Sequence, residues 1–205
     1  VDRFLPPFKP FAALNPDDPV TLGALGLPDI YTEACKSREE VLLNSKKVIL
    51  EVWKEWEEQF GRKYEPIEPY EAEDAEVLML TMGSMGETAE MAIDELRKEG
   101  MKAGLLKLKL WRPFPFEELK EAVKGAKVLV VTDRCLSYGG AGGPVALEVR
   151  SALYEEKKRP VILNYIIGLG GRDVMVDHFM EMIRTAAKAD AERPEKAYEI
   201  YGVRE

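Results

Sequence analysis

Cysteine and histidine are nearly absent: Cys35, Cys135 and His178 are the whole supply in 205 residues. No CxxC pair exists, so a zinc site or an iron–sulfur cluster held by this chain alone is not expected. A Ser–His relay would have to pass through His178, which reads as a structural residue on a helix. With the two cysteines far apart, reduced thiols and a cytoplasmic setting are expected. Basic residues are also short, 29 Lys and Arg against 37 Asp and Glu for a net charge of −8. That balance argues against a nucleic-acid partner, because phosphate affinity comes from clustered cations. No apolar run approaches the roughly 20 residues of a membrane helix. No signal peptide is visible, and a start at Val1 rather than Met is expected of a piece of a longer polypeptide.

What is present falls into three textures. Residues 1–73 open with Pro6, Pro7, Pro10, Pro16, Pro19 and Pro28, interleaved with Phe4, Leu5, Phe8, Phe11, Leu22, Leu25 and Leu27. Proline blocks regular ladders, yet a disordered linker rarely carries so many large apolar groups. The stretch reads as an extended arm laid on another surface. Ser37 and Glu40 match the S-x-x-E capping box, and apolar residues including Trp53 and Trp56 then recur at helical spacing, predicting an amphipathic helix over 38–60. Residues 64–74 are acidic and proline-containing, a linker pattern.

From 74 to 190 the chain alternates short apolar runs (76–81, 101–110, 126–133 and 160–168) with helical segments. This alternation predicts an α/β fold, a mostly parallel sheet covered on both faces. Residues 191–205 read as a tail. A second S-x-x-E pair, Ser84 and Glu87, starts the first of these helices, and Asp173 is the expected N-cap of the last.

The candidate sites sit in strand-to-helix turns. "SYGGAGGP" places Gly139, Gly140, Gly142 and Gly143 just before Pro144. A P-loop needs Lys-Ser or Lys-Thr after its glycines and a dinucleotide fingerprint needs a third spaced glycine; neither is here. Such glycines also permit close backbone approach. "TMGSMGET" (81–88) is explained by its capping pair alone. Arg112 leaves a strand through the stiff Pro113–Pro115 exit among aromatics, suited to a carboxylate across an interface or to a ligand anion. Asp133 and Arg134 end the third apolar run, where a local Asp–Arg pair is the simplest reading.

The ordered set "GSMGETAEMAIDELRKEGMKAGLLKLKLWRPFPFEELKEAVKGAKVLVVTDR", "YGGAGG" and "IIGLGGRDV" resembles the alpha subunit of pyruvate:ferredoxin oxidoreductase (pyruvate synthase) and its 2-oxoacid relatives. "VDRFLPPFKP" and "FGRKY" resemble the same subunit upstream. The resemblance implies a three-layer α/β/α sandwich like the transketolase C-terminal domain. It implies a complex that converts a 2-oxoacid and coenzyme A to acyl-CoA and CO2, using thiamine diphosphate, Mg and [4Fe–4S] clusters, with electrons passed to ferredoxin. No GDG-type thiamine motif is present, so no catalytic, cofactor-binding or metal residue is assigned here. The implied role is the carboxyl-terminal part of an alpha subunit, inert alone, that assembles with beta, gamma and delta subunits and a second alpha copy. Trp53, Trp56, Arg112, Pro113, Asp133, Arg134, Gly139, Gly140, Gly142 and Gly143 are then interface or loop candidates. The alternative is a stand-alone α/β module that binds a nucleotide or coenzyme A through the Gly139–Gly143 loop.

Overall fold

Four of the apolar runs become adjacent parallel strands in a computed structural model that describes residues 5, 7–10, 15–20, 22–23, 25–188 and 196–204. These are β2 (Val77–Met82), β3 (Ala103–Leu108), β4 (Val128–Asp133) and β5 (Val161–Ile166). Two further strands, β1 (Ile67–Tyr70) and β6 (Glu199–Ile200), extend the sheet to the order β1-β3-β2-β4-β5-β6. Every pairing is parallel except β1 with β3.

Alternation along the central strands divides the core between two faces. Val77, Met79, Leu105 and Val130 point to the side covered by α2 (Met85–Lys98) and α5 (Val176–Lys188). Leu78, Leu80, Leu106, Leu129 and Val131 point to the side covered by α3 (Phe116–Ala122) and α4 (Pro144–Leu153). Helices on both faces explain why these strands read as unbroken apolar runs. Each fully buried leucine contributes about 1.5–3 kcal/mol relative to exposure. The expected three-layer α/β/α sandwich is therefore present. Because the connection through α2 leads to one side of β2 and that through α3 to the other, the strand order reverses between β2 and β4. In open α/β sheets the crevice at the carboxyl ends of such strands is the usual ligand position.

The sheet is wider than the sequence pattern suggests. Residues 67–70 lie in the stretch read as a linker, yet they pair with β3 from Ile67↔Leu108 to Tyr70↔Leu105. An edge strand tolerates Pro69, which has no N–H to donate. Glycine at position 104 lets the following turn lie on β3, since a Cβ there would stand 2.6 Å from the Glu71 carbonyl oxygen. At the other edge, β6 falls in the stretch read as a tail.

The chain divides into two units, Val1–Val41 and Leu42–Glu205, and the long helix α1 (Pro28–Phe60) crosses that division. Its start corrects the capping-box reading. Pro28 and Asp29 occupy the first turn, where a missing N–H costs nothing and an acid suits the helix dipole. Ser37 lies inside the helix, and Glu40 pairs with Lys36 one turn away. Within the first unit Asn15 makes a local turn, its side chain accepting from the Asp17 N–H at 3.1 Å. The described apolar residues of the arm are exposed, Phe8 at 88%; Phe4 and Phe11 lie outside the described residues. Within the second unit Lys46 of α1 bonds Glu118 of α3 at 2.7 Å, and Trp53 packs against Tyr64 with ring centroids 6.1 Å apart.

Ion pairs bind the β1–β3–α2 corner. Lys107, largely covered, contacts Glu68 of β1 and Glu90 of α2. Burial pushes the Glu68 carboxyl up, but the pull of Lys107 and Lys109 outweighs it and holds the pKa below the ordinary 4.5. An acid whose pKa falls on folding stabilises at pH values above its unfolded pKa, and that contribution is lost as pH falls through the folded one. Glu68→Gln is therefore expected to cost up to about 1 kcal/mol at pH 7. Urea titrations of the two proteins should converge as the pH is taken below 4.5; a gap independent of pH would refute the ion-pair account.

Candidate functional site

Asp133 organises the carboxyl edge of the sheet. It is the last residue of β4, only 2% exposed, and its side chain turns toward the start of α4. One carboxylate oxygen accepts from the Val145 N–H at 2.8 Å and the other from the Ala146 N–H at 3.1 Å. Asn164, on β5, donates from its amide nitrogen to Asp133 at 3.0 Å and to the Val131 carbonyl at 3.0 Å. The Asn164 amide oxygen accepts from the Gly143 N–H at 3.0 Å. Burial pushes the Asp133 carboxyl above its ordinary pKa, against the opposing pull of these donors and of Arg150.

This buried acid–amide pair accounts for two of the four loop glycines. A Cβ at Gly143 would lie 2.1 Å from Asp133 Cγ, and one at Gly142 would lie 2.5 Å from Asn164 Oδ1. Gly142 also has φ +139°, a conformation that side chains strain to adopt. The close approach expected of these glycines thus occurs within the chain's own sheet. A helix N-terminus that could receive a phosphate already receives the carboxylate of Asp133. That weighs against the glycine loop as a nucleotide cradle. Gly139 and Gly140 differ, for both lie in an exposed turn beside Tyr138, which is 90% exposed.

The other candidates surround this loop. The Arg112 guanidinium stacks over Trp111 at 4.2 Å from the ring centroid and pairs with Glu148 of α4 at 2.9 Å, so the carboxylate expected across an interface is found within the chain. Pro113 is buried behind it. The simple Asp133–Arg134 pair does not form, because the acid faces inward to α4. Arg134 is exposed and has no ion-pair partner among the described residues; its Nε lies 3.3 Å from where a Gly168 Cβ would stand. Met82, Leu169 and Met175 are also exposed at this edge. Trp53 and Trp56 are half-buried on α1.

Two caps differ from their sequence patterns. Ser84 occupies the N-cap position of α2 but makes no side-chain cap bond. Asp173 lies outside α5, and His178 Nδ1 instead accepts from the Met175 N–H at 3.0 Å. The lone histidine thus caps a helix start. The sequence reading missed Asn164, whose signal is a single amide inside an otherwise apolar strand. It also missed Arg150, which donates to the carbonyls of Ala141 at 2.9 Å and Ala197 at 2.6 Å, tying the glycine loop to the last strand's approach.

These features define a doubly wound α/β/α domain whose outermost groups at the carboxyl edge face solvent. Residues 75–179 match the family model described as pyruvate:ferredoxin oxidoreductase core domain II. The chain belongs to this family. It is 43% identical over its whole length to pyruvate synthase subunit PorA of Thermotoga maritima, covering 52% of that protein. It is 40% identical over its whole length to the PorA subunit of Methanothermobacter thermautotrophicus, covering 51%. Against ketoisovalerate oxidoreductase subunit VorA of Pyrococcus abyssi it is 40% identical over 86% of the chain and 45% of that protein. The chain thus spans about half the length of the curated relatives it matches. Among solved structures, a split-gene transketolase (inactive beta4 tetramer) aligns over 62% of this chain and 45% of its own, with TM-score 0.48 and 20% identity. A 2-oxoglutarate:ferredoxin oxidoreductase from Magnetococcus marinus, with 2-oxoglutarate, coenzyme A and succinyl-CoA bound, aligns over 60% of this chain and 20% of its own, with TM-score 0.46 and 19% identity.

Asp133→Asn replaces an acceptor with an amide that faces donors, and is expected to cost about 1–3 kcal/mol. Gly142→Val forces a side chain onto Asn164 and should destabilise by a comparable amount. Its effect is therefore expected on the stability of the isolated domain. Urea midpoints equal to that of the parent chain would overturn this account.

Proposed function

We propose that the chain is the carboxyl-terminal portion of the alpha subunit of a thiamine diphosphate-dependent 2-oxoacid:ferredoxin oxidoreductase, with pyruvate as the leading substrate. The full complex converts the 2-oxoacid and coenzyme A to acyl-CoA and CO2 and passes electrons to ferredoxin in the cytoplasm. The observation that carries this reading is the end-to-end similarity to PorA subunits, 43% identity with the Thermotoga maritima protein over the full chain.

The chain's own groups do not fit the redox cofactors. A [4Fe–4S] cluster takes four thiolates, and the chain has two cysteines. Among the described residues no group of three or more His, Cys, Asp or Glu is gathered as for a metal ion. We assign thiamine diphosphate, Mg and the clusters to the rest of the complex, including beta, gamma and delta subunits and a second alpha copy, with no reaction step carried by this chain. Its part is assembly, and alone it is inert.

The carboxyl edge supports that role. Tyr138, Gly139, Gly140 and Arg134 present an aromatic ring, a tight turn and an exposed guanidinium on a rigid base. Aromatic and Arg anchors of this kind dominate interface energetics. Asp133, Gly142 and Gly143 serve the interface indirectly by shaping the loop. Arg112 and Pro113 hold its flank, and Trp53 and Trp56 fix the connecting helix.

With the chain as bait in extract of its native source, capture of thiamine- and cluster-bearing subunits is expected, and the captured complex should reduce ferredoxin with pyruvate and coenzyme A. Tyr138→Asp should lower capture at least tenfold while leaving the urea midpoint unchanged. Undiminished capture would remove the loop from the interface; capture of no oxidoreductase subunits would overturn the assignment.

A further inference from the structure

The amino end of β5 borders a groove of about 1040 Å3 whose charge opposes that of the protein as a whole. Arg150, Lys157, Lys158, Arg159 and Lys196 line it, and among the described residues no acid does. In a chain of net charge −8, five cations around one concavity are a concentration that mutual repulsion disfavours unless something balances it. Among the described residues Glu156 turns to Lys120 at 3.4 Å, Glu155 does not line the groove, and the buried Asp133 offsets the charge of Arg150 only in part.

Arg150 is the most telling of the five. Its guanidinium is half-buried and meets two carbonyl oxygens but no carboxylate within ion-pair distance among the described residues. Lys157, Lys158 and Lys196 are exposed and have no ion-pair partner among the described residues. Arg159 is steadied by the carbonyls of Tyr154 at 2.8 Å and Glu156 at 3.1 Å, with no carboxylate in ion-pair distance among the described residues. Ala126, Val161 and Ile162 supply an apolar wall. Tyr154 lies at the rim, 69% exposed, with the Arg159 guanidinium 5.9 Å from its ring centroid.

We propose that this groove binds an organic polyphosphate of the nucleoside diphosphate class, in a metal-free form. Arginine and lysine together recognise phosphate oxygens by charge-assisted hydrogen bonds. An apolar wall beside a few convergent polar groups is the usual make-up of a small-ligand site, and the volume is of ligand size. Tyr154 offers the ring of the ligand a stacking platform. Among the described residues no carboxylate lines the groove to hold a divalent ion on the ligand, so the cations neutralise the phosphates directly. The site is separate from the glycine loop, where Asp133 takes the anion's place, and it does not rest on the family assignment.

The test is calorimetric titration of the chain with ADP and with pyrophosphate, in EDTA and in excess Mg2+. ADP should bind more tightly than pyrophosphate, and Mg2+ should weaken both. The double variant K157E/K158E, at two exposed positions, should lose at least tenfold in affinity while keeping its circular dichroism, and Tyr154→Ala should reduce ADP to the affinity of pyrophosphate. No binding of either probe, or equal binding by K157E/K158E, overturns the proposal. So does binding of poly-glutamate without binding of ADP, which would make the groove a docking face for an acidic protein.

Discussion

A carboxylate placed at the end of a central strand, out of reach of water, must find donors within the protein, and the architecture around Asp133 is the solution. The free N–H groups at the start of α4 are equally in need of an acceptor. Bringing the two together satisfies both and places a negative charge at the positive end of a helix dipole. The junction fixes where α4 begins, how closely its first turn approaches β4, and which residues between them can carry a side chain. Asn164 closes the arrangement from β5 by donating to the acid and accepting from Gly143. Three successive elements of the sandwich are therefore locked through one buried pair.

The consequence for the loop follows from space alone. Gly142 and Gly143 are buried beneath their own chain, while Gly139 and Gly140 stand in the open. A rigid inner half carries an exposed outer half with Tyr138 at its tip. A loop built in this way loses little conformational entropy when something docks on it, which fits a component of a larger assembly better than a hinge or a lid. The same division explains why a glycine-rich turn before a helix need not signal a phosphate: the protein has supplied its own anion.

How much of this was legible in the sequence depends on where each constraint originates. Strands β2 to β5 and their covering helices were readable because burial on both faces writes a continuous apolar run, as in "VLVVTD". β1 and β6 were not, because an edge strand such as "IEPY" takes its pairing from β3 and writes only a short, proline-marked segment. The start of α1 was misplaced because S-x-x-E is also compatible with a helix interior, whereas Pro28 and Asp29 mark the true first turn. Asp133 was singled out, yet its partners lie 12 to 31 positions away in sequence, so the local Asp–Arg pairing looked simplest. Similarity to a family supplied what periodicity cannot, namely the relatives from which a reaction and partners are proposed.

Two opposite treatments of charge meet at Arg150. At the front of α4 an acid is buried and fully served by donors, so no outside anion is called for. Near the back of the same helix a guanidinium is half-buried and hydrogen-bonded to two carbonyl oxygens, and burial pulls its pKa down while the charge of Asp133 partly offsets this. Carbonyl oxygens solvate a cation but do not neutralise it, and the nearest neighbours along the groove add positive charge rather than removing it. Arg150 nevertheless holds both Ala141 of the glycine loop and Ala197 before β6. An anion drawn to that guanidinium would therefore contact the residue that ties the loop to the sheet edge.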